Sequence, residues 1–202
     1  MVLAYVSGLL AGLSLIIAIG AQNAFVIRQG LTKKFVLLVV LVCAISDVVL
    51  IVAGVAGLGA VINSQPVALE VIRWAGVAYL LWFAFKSIRS ALGTNQLDAS
   101  GATQSASLKT TVLTVLAMTW LNPHVYLDTV IFLGAVANQF TQDRWWFAAG
   151  ASTGSILWFF SLGFGAVAAS RFMSKPAFWK ILDSLIAAIM VTLAITLATL
   201  NF

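Results

Sequence analysis

Six long apolar runs, separated by short polar breaks, constrain the fold of this chain more than any other feature. A membrane-spanning helix needs roughly 20 predominantly apolar residues. The runs are continuous rather than alternating, which favours helices over the strands of a barrel. Of the 202 residues, 62% are hydrophobic and 8% charged, a composition far from that of a soluble domain. The sequence therefore predicts an all-α membrane protein with six transmembrane helices, at residues 3–27, 35–62, 67–88, 110–137, 145–169 and 178–200.

Two of these helices, the first and the fourth, are predicted to be broken near mid-membrane by carboxamide motifs. The first break is centred on Gly20 and is followed by Gln22 and Asn23, and the second is formed by Asn122 and Pro123. Because proline has no N–H, the carbonyl groups around residues 117–119 are expected to lose their usual partners. Freed backbone groups at that depth need protein or water around them, so the second break predicts a polar cavity. Paired broken helices in corresponding positions of two halves are typical of a transporter's substrate site.

The chain divides into two halves of three predicted spans, residues 1–92 and 110–202, joined by a polar cytoplasmic linker at 93–109. Three spans in each half would give the halves opposite orientations, so the sequence predicts two inverted repeats. Four residues of the first half match four of the second at a constant offset of 106, namely Ser46, Leu50, Gly57 and Gly59 with Ser152, Ile156, Gly163 and Gly165. This match also fits chance similarity between membrane segments of like composition.

Charge placement predicts the orientation. Nine of the eleven basic residues lie between spans one and two, three and four, or five and six, or at the span ends that face these breaks. The positive-inside rule makes that side cytoplasmic and puts both termini outside. The net charge of +5 is thereby explained without a nucleic-acid partner. Small residues spaced by four, Gly8 with Gly12 and Gly150 with Gly154, predict close helix packing within the bundle or between protomers of a homo-oligomer.

Two acids lie near the middle of predicted spans. Asp47 is near the centre of span two, and Asp128 follows Asn122 by one and a half helical turns. A charge at that depth must be paired, protonated or hydrated. Both acids are candidates for substrate binding or proton coupling; the alternatives are a structural ion pair at Asp47 and a cap on a neighbouring helix at Asp128. Arg73 could pair locally with Glu70, or with Asp47 as a gate that breaks during transport.

The amides complete the predicted site. Gln22, Asn23 and Asn122 offer donors and acceptors for the carboxylate and amino groups of an amino acid. The helix N-termini beyond each break would add positive partial charge. His124 is a possible proton relay, although a histidine beside a kink is more often a filler. Tyr126 and Trp120 are possible lining residues.

Redox, metal and enzymatic chemistry are disfavoured. The only cysteine is Cys43, and the sequence has no CxxC motif and no histidine cluster. The sequence therefore predicts no metal, no cofactor and no enzymatic activity. A membrane thiol-disulfide enzyme would need paired cysteines, and a purely structural membrane subunit would leave the broken helices and buried acids unexplained.

The chain resembles the lysine exporter (LysE) family, particularly its lysine and arginine exporters. The resemblance covers nearly the whole chain and rests on AIGAQNAFVIRQG (18–30), LVCAISDVVLIVAGVAGLG (41–59), RWAGVAYLLWFAFK (73–86), TWLNPHVYLDTVIFLG (119–134) and RWWFAAGASTGSILWF (144–159). It implies a bacterial inner-membrane protein that exports L-lysine, L-arginine or both, driven by the proton motive force. The family's Gln-Asn motif falls on Gln22 and Asn23, its membrane acids on Asp47 and Asp128, and its Asn-Pro pair on Asn122 and Pro123. Many relatives have proline at the position of Ala21, so the first break is less forced in this chain.

The hypothesis from sequence is proton antiport by alternating access, with a basic amino acid bound between the halves. The alternative is export of another small cation or of a neutral amino acid on the same scaffold. Two acids in the membrane favour a cationic substrate over a neutral one.

Overall fold

The structure is a computed structural model that describes residues 1–17, 20–58, 66–92, 107–122, 125–170 and 176–199. Some side chains inside the helices, including that of Arg73, lie outside the description. The described residues form eight α-helices and no strand, which confirms the predicted all-α class. The helices are α1 (Val2–Ile16), α2 (Ala21–Thr32), α3 (Val36–Ala53), α4 (Pro66–Leu92), α5 (Leu108–Trp120), α6 (Leu133–Asn138), α7 (Arg144–Ala169) and α8 (Pro176–Thr199).

Three irregular helical segments interrupt this plan. A π-helical turn, Gly54–Leu58, continues α3, and a longer π-helical segment, Tyr126–Phe132, precedes α6. A short 3₁₀ turn, Thr141–Asp143, leads into α7. π-helical turns are rare and occur frequently at functional sites. One of these two follows the helix that carries Asp47, and the other carries Asp128 itself.

The first apolar run is divided into α1 and α2, whose axes differ by 80°. Gly20 caps α2 in an extended conformation, with φ −113° and ψ −178°. At the other end of α2, Lys33 and Phe35 adopt left-handed backbone conformations and reverse the chain into α3. We call the end of the molecule that carries this turn, with Lys33 and Lys34, the basic end.

Helix α1 packs closely against α7 through the small residues that the sequence pairs. A Cβ atom on Gly8 would overlap the Phe147 carbonyl oxygen, and one on Gly150 would overlap that of Tyr5. A Cβ on Gly12 would lie 3.0 Å from the Ala151 Cα. The predicted packing role within the bundle is therefore confirmed, because the two glycine pairs face each other across one helix interface. The Met1 ammonium and the Asp143 carboxylate form an ion pair near one end of this interface.

The two halves of the chain interlock. Both α1 and α2 pack on α7, whereas α5 and the segment from Tyr126 to Asn138 pack on α3. The long helices α4 and α8 pack against each other. Buried apolar residues form one cluster joining α2, α3, α4, α5, α7 and α8, and a second where α1, α6 and α7 meet the end of α3.

By length and composition, two described segments could cross a membrane, Val36–Gly57 and Thr141–Ala169, of 22 and 29 residues. A third qualifies when α1 and α2 are taken as one bent span. The described residues include short apolar helices, α5 and the stretch from Tyr126 to Asn138, on either side of the second break. The chain is a multi-pass membrane protein.

Candidate functional site

Asp47 lies where α3 crosses α7, in the middle of the interlocked halves. Only 4% of its surface is exposed. The Ser155 hydroxyl of α7 donates a 2.8 Å hydrogen bond to its carboxylate Oδ2. Cys43 and Gly54, one turn before and two turns after Asp47 on the same face of α3, are buried as well. A carboxylate of the first half is thus held by a hydroxyl of the second.

The second break is joined to α3 by a short chain of hydrogen bonds. Trp120 Nε1 donates to the hydroxyl of Ser46, the neighbour of Asp47, at 3.2 Å. The Tyr126 hydroxyl donates to the Trp120 carbonyl oxygen at 2.8 Å. Both aromatic residues are only half-buried. They therefore tie the two sides of the break to each other and to the segment that carries Asp47.

Two of the three carbonyl groups before the second break keep partners, contrary to the expectation that they lose them. The Ala117 carbonyl accepts from Leu121 N at 3.0 Å, and the Thr119 carbonyl accepts from Asn122 N at 3.4 Å. The last turn of α5 tightens into a 3₁₀-type bond, a common way to satisfy a helix end. The Trp120 carbonyl accepts from the Tyr126 hydroxyl. The polar cavity at this break stays a prediction.

The amides that follow the first break sit beside the same face of α3. Asn23 is buried; its Nδ2 donates to the Ile16 carbonyl at 2.7 Å, and its Oδ1 accepts from Trp158 Nε1 at 3.3 Å. Asn23 therefore spans the break and fixes α2 to α7. The Gln22 amide lies beside the Cys43 thiol, and its Nε2 is buried with no hydrogen-bond partner in the described part of the chain. A buried donor of this kind is costly unless a water or a ligand satisfies it.

Asp128 lies on the π-helical segment and is half-buried. The segment touches the end of α3 backbone to backbone. A Cβ on Gly54 would lie 2.5 Å from the Val130 carbonyl oxygen, and one on Gly134 would lie 2.5 Å from the Gly54 carbonyl oxygen. Since Gly54 is seven residues past Asp47 on one helix, about 10 Å along its axis, the two acids lie on segments in direct contact.

Two predicted residues lie outside the described part of the chain. Pro123, with its neighbour His124, is among the residues that the structure does not describe, and of Arg73 only the backbone, within α4, is described. The gate between Arg73 and Asp47 stays a prediction. Asn122 follows the end of α5 and is half-buried, and its carbonyl accepts from Val125 N at 3.1 Å across the break.

Sequence reasoning missed a third acid in a predicted span, Asp183 of α8. Its carboxylate is nearly fully buried, with 2% of the side chain exposed, and Oδ1 lies 3.6 Å from the Arg28 guanidinium of α2. From the sequence, Arg28 is used only as one of the basic residues that predict the orientation of the spans. The signal was present, because a charged residue inside an apolar run is costly and usually functional.

The predicted site residues lie on contacting parts of α2, α3 and α7. Asp47 is bonded to Ser155, Gln22 lies beside Cys43, one turn before Asp47, and Asn23 is bonded to Trp158, one turn after Ser155. The described residues hold no group of three histidine, cysteine or acidic side chains placed to bind a metal ion. A buried carboxylate that can carry either a proton or a cation is suited to coupled transport.

Comparison with known proteins agrees with this chemistry. The sequence profile of the family described as "LysE type translocator" matches residues 13–201. The lysine exporter LysE of Corynebacterium glutamicum is 37% identical, over 96% of this chain and 97% of its own length. The arginine exporter protein ArgO of Pectobacterium carotovorum subsp. carotovorum is 39% identical, over 96% of each chain. A putative amino-acid transporter of Mycobacterium tuberculosis is 44% identical, over 91% of this chain and 90% of its own. No solved structure matches the chain.

Proposed function

This chain belongs to the LysE family of translocators, and on that premise we propose that it exports L-lysine, L-arginine or both from the bacterial cytoplasm in exchange for protons. As a member of that family it is a transport protein and not an enzyme. The observation that carries the proposal is the buried Asp47 carboxylate, held by Ser155 across the junction of the two halves. The named relatives export the two amino acids whose side chains are cations.

The proposal includes six spans in two inverted repeats, 1–92 and 110–202, joined by the linker 93–109. Helix bounds support the duplication, because the offset of 106 seen in the sequence carries Val2 onto Leu108 and Thr32 onto Asn138. These residues begin α1 and α5 and end α2 and α6. The interlocked packing supports it too, since the broken segment of each half lies against the long second helix of the other.

Helix length supports the remaining two spans. Helices α4 and α8 have 27 and 24 residues, or about 40 and 36 Å at 1.5 Å per residue. Both exceed the roughly 30 Å thickness of the hydrocarbon core. On this topology the basic end faces the cytoplasm, and the Met1 amino group and Asp143 face the outside.

In the proposed mechanism, the cationic side chain of the substrate replaces a proton on Asp47, Asp128 or both. The Gln22 and Asn23 amides, with the N-terminus of α2, hold its carboxylate and amino groups. Release to the outside accompanies protonation of the acids, and the protonated site then returns. The unsatisfied Nε2 of Gln22 gives the empty site a donor ready for a carboxylate oxygen.

Charge balance favours more than one proton for each substrate. Moving one positive charge out of an inside-negative cell costs about 2.3 kcal/mol per 100 mV. One entering proton only cancels that cost and leaves the pH gradient as the drive. Two acids in the membrane allow two protons, so export is expected to carry net inward charge.

The test is efflux of labelled amino acids from proteoliposomes under an imposed pH gradient. Lysine and arginine should leave against their gradients when protons enter, and leucine should not. Leucine efflux at the same rate would favour the alternative substrate class, a neutral amino acid. Equal rates for the wild type, Asp47→Asn and Asp128→Asn would remove the acids from the mechanism, and exchange without net current would exclude the two-proton version.

A further inference from the structure

We propose that Asp183 is a second binding site for the cationic side chain of the substrate, placed at the entrance from the basic end and occupied by Arg28 until substrate arrives. The inference rests on the proposed function for the identity of the substrate. Its structural content, an ion pair that closes one end of the bundle, stands apart from that function.

The two partners differ sharply in burial. Asp183 exposes 2% of its side chain, whereas Arg28 exposes 28%. A guanidinium with that much exposure can move toward the basic end without entering a new apolar environment, because arginine stems are long and flexible. The buried carboxylate has no such freedom. We therefore expect the ion pair to break by motion of Arg28, while Asp183 stays in place.

The pair is also loose. The distance between the Arg28 nitrogen and Asp183 Oδ1 is 3.6 Å, which exceeds the 2.7–2.9 Å typical of a charge-assisted hydrogen bond. A free arginine or lysine side chain carries the same charge as Arg28 and can approach more closely. Exchange of one cation for another at this carboxylate therefore leaves the buried charge compensated throughout.

The contacts made along α7 give the relative depth of Asp47, Asn23 and the ion pair within the bundle. Ser155 of α7 is bonded to Asp47, Trp158 to Asn23, and Gly163 and Ala166 lie against Gly30 of α2. Arg28 comes between Asn23 and Gly30 on α2. The pair consequently lies between the depth of Asp47 and the basic end.

The face of α8 that carries Asp183 leads inward from the pair. Ile186 and Met190, one and two turns further along, are fully buried in the cluster that contains Cys43 and Val40. Counted from the basic end, the ion pair therefore comes first, then this cluster with Cys43 and Gln22, and then Asp47. In the proposed cycle a substrate displaces Arg28 before it reaches Asp47.

Such an entrance selects by charge. Moving Arg28 away without a replacement takes a cation away from a buried carboxylate, which is unfavourable. A neutral amino acid brings no replacement, whereas lysine or arginine does. The entrance would therefore discriminate against leucine before it reaches the central site.

The native cysteine provides a reporter for the closed state. In wild-type protein reconstituted in nanodiscs, where both faces meet the reagent, the buried Cys43 should react slowly with N-ethylmaleimide. Arg28→Gln and Asp183→Asn should each raise the rate of labelling about tenfold or more, since breaking a buried pair removes the closure. The matched control is Arg144→Gln, which removes an exposed arginine, hydrogen-bonded to Asn138, at the opposite end and should leave the rate unchanged.

Arginine binding then separates a binding site from a merely structural pair. Arg28→Gln removes the internal competitor and should tighten arginine binding several-fold, whereas Asp183→Asn removes the site and should weaken it. Titration calorimetry with arginine, and with leucine as the neutral comparison, measures both. A structural pair would shift the two affinities in the same direction, and that result would overturn the proposal.

Unchanged Cys43 labelling in both variants would also overturn it, whether or not the protein exports basic amino acids. Failure of the proposed function has a different signature, namely no arginine binding and no efflux in the wild type while labelling still responds to loss of the pair. If a single variant does not fold, Arg28→Lys carries the test. Its shorter cation should be displaced more easily and tighten arginine binding, and an unchanged affinity would contradict the inference.

Discussion

Asp47 and Asp128 are both acids within predicted spans, but the structure holds them in different ways. Asp47 is on a regular part of α3, is buried, and accepts a hydrogen bond from Ser155 of the other half. Asp128 is on a π-helical segment and is half-buried. The first acid is fixed by packing on all sides, whereas the second sits on irregular, π-helical backbone and is partly exposed.

This difference suggests a division of labour. A transporter needs one group whose position is constant, to define the site, and another whose position changes as access alternates. The direct backbone contact of Gly54 with Val130 joins the two, so we expect a displacement of the π-helical segment to be transmitted to the helix that carries Asp47. We expect Asp47 to determine whether transport occurs and Asp128 to determine how fast the conformations interchange.

The strongest test of that division replaces each acid by its amide. Asp47→Asn should reduce proton-driven lysine export by about a hundredfold or more, because an amide carries neither a proton nor a charge through the cycle. Asp128→Asn should reduce it by about tenfold, a loss of roughly 1.4 kcal/mol. Initial rates of efflux from proteoliposomes measure both. Equal losses would show that the acids act as one unit.

The contact between the two segments can be broken at Gly54. Valine there must push against the Val130 and Thr129 carbonyl groups, and overpacking of this kind costs about 2 kcal/mol. We expect a lower thermal unfolding temperature and an export rate reduced by about thirtyfold, if that cost falls on the transporting conformation.

Gly165→Val is the control for this change, because a Cβ at Gly165 has no neighbour within 4 Å among the described residues. It should leave both stability and export close to the wild type. If Gly54→Val behaves like the control, the two acids are not coupled through this contact.

Loss of the Ser155 hydroxyl tests how firmly Asp47 is fixed. Ser155→Ala removes the 2.8 Å hydrogen bond to Oδ2 and leaves part of a buried carboxyl group unsatisfied. Hydrogen bonds to charged groups are worth about 1.5–3 kcal/mol, so export should fall by about tenfold or somewhat more. Thr153→Ala, which removes a half-buried hydroxyl of α7 that accepts from Tyr5, should have far less effect. Equal effects of the two changes would show that the Ser155 bond has no special role.

The comparison of the acids also shows what could be predicted from sequence. Asp47 and Asp128 stand out because charge inside an apolar run is rare, and Gly20 stands out because it precedes a polar pair in such a run. The partners of these residues were not predictable, since Ser155 is 108 residues from Asp47 and serine is common in membrane helices. Asp183 could have been found by the rule that found Asp47, since it too lies inside a predicted span.

The second break shows a different reason why hydrogen-bond partners could not be predicted from the sequence. Proline chemistry alone predicts orphan carbonyls, but the last turn of a helix has other ways to satisfy them. Asn122 N bonds the Thr119 carbonyl, and the Tyr126 hydroxyl bonds that of Trp120. The first is a local adjustment of the backbone, and the second needs a side chain from beyond the break, so neither follows from the position of Pro123.

The smallest expected effect concerns the first break. There, Trp158 anchors Asn23 to α7, the helix that also holds Asp47. Trp158→Phe keeps the ring packing and removes only the 3.3 Å donation from Nε1 to Asn23. A neutral hydrogen bond contributes about 0.5–1.5 kcal/mol, or about two- to thirteenfold in rate; we expect the low end of that range, a fall in export of about two- to fourfold. Trp146→Phe, on an exposed part of α7, is the matched control for the loss of an indole N–H. Asn23 also bonds the Ile16 carbonyl across the break, and this second bond is the reason that the loss should stay small. A loss as large as that of Ser155→Ala would mean that Trp158, and not the Asn23 amide itself, holds α2 in place beside Asp47. The function of the Asp47 site would then depend on the orientation of α2 as much as on the acid.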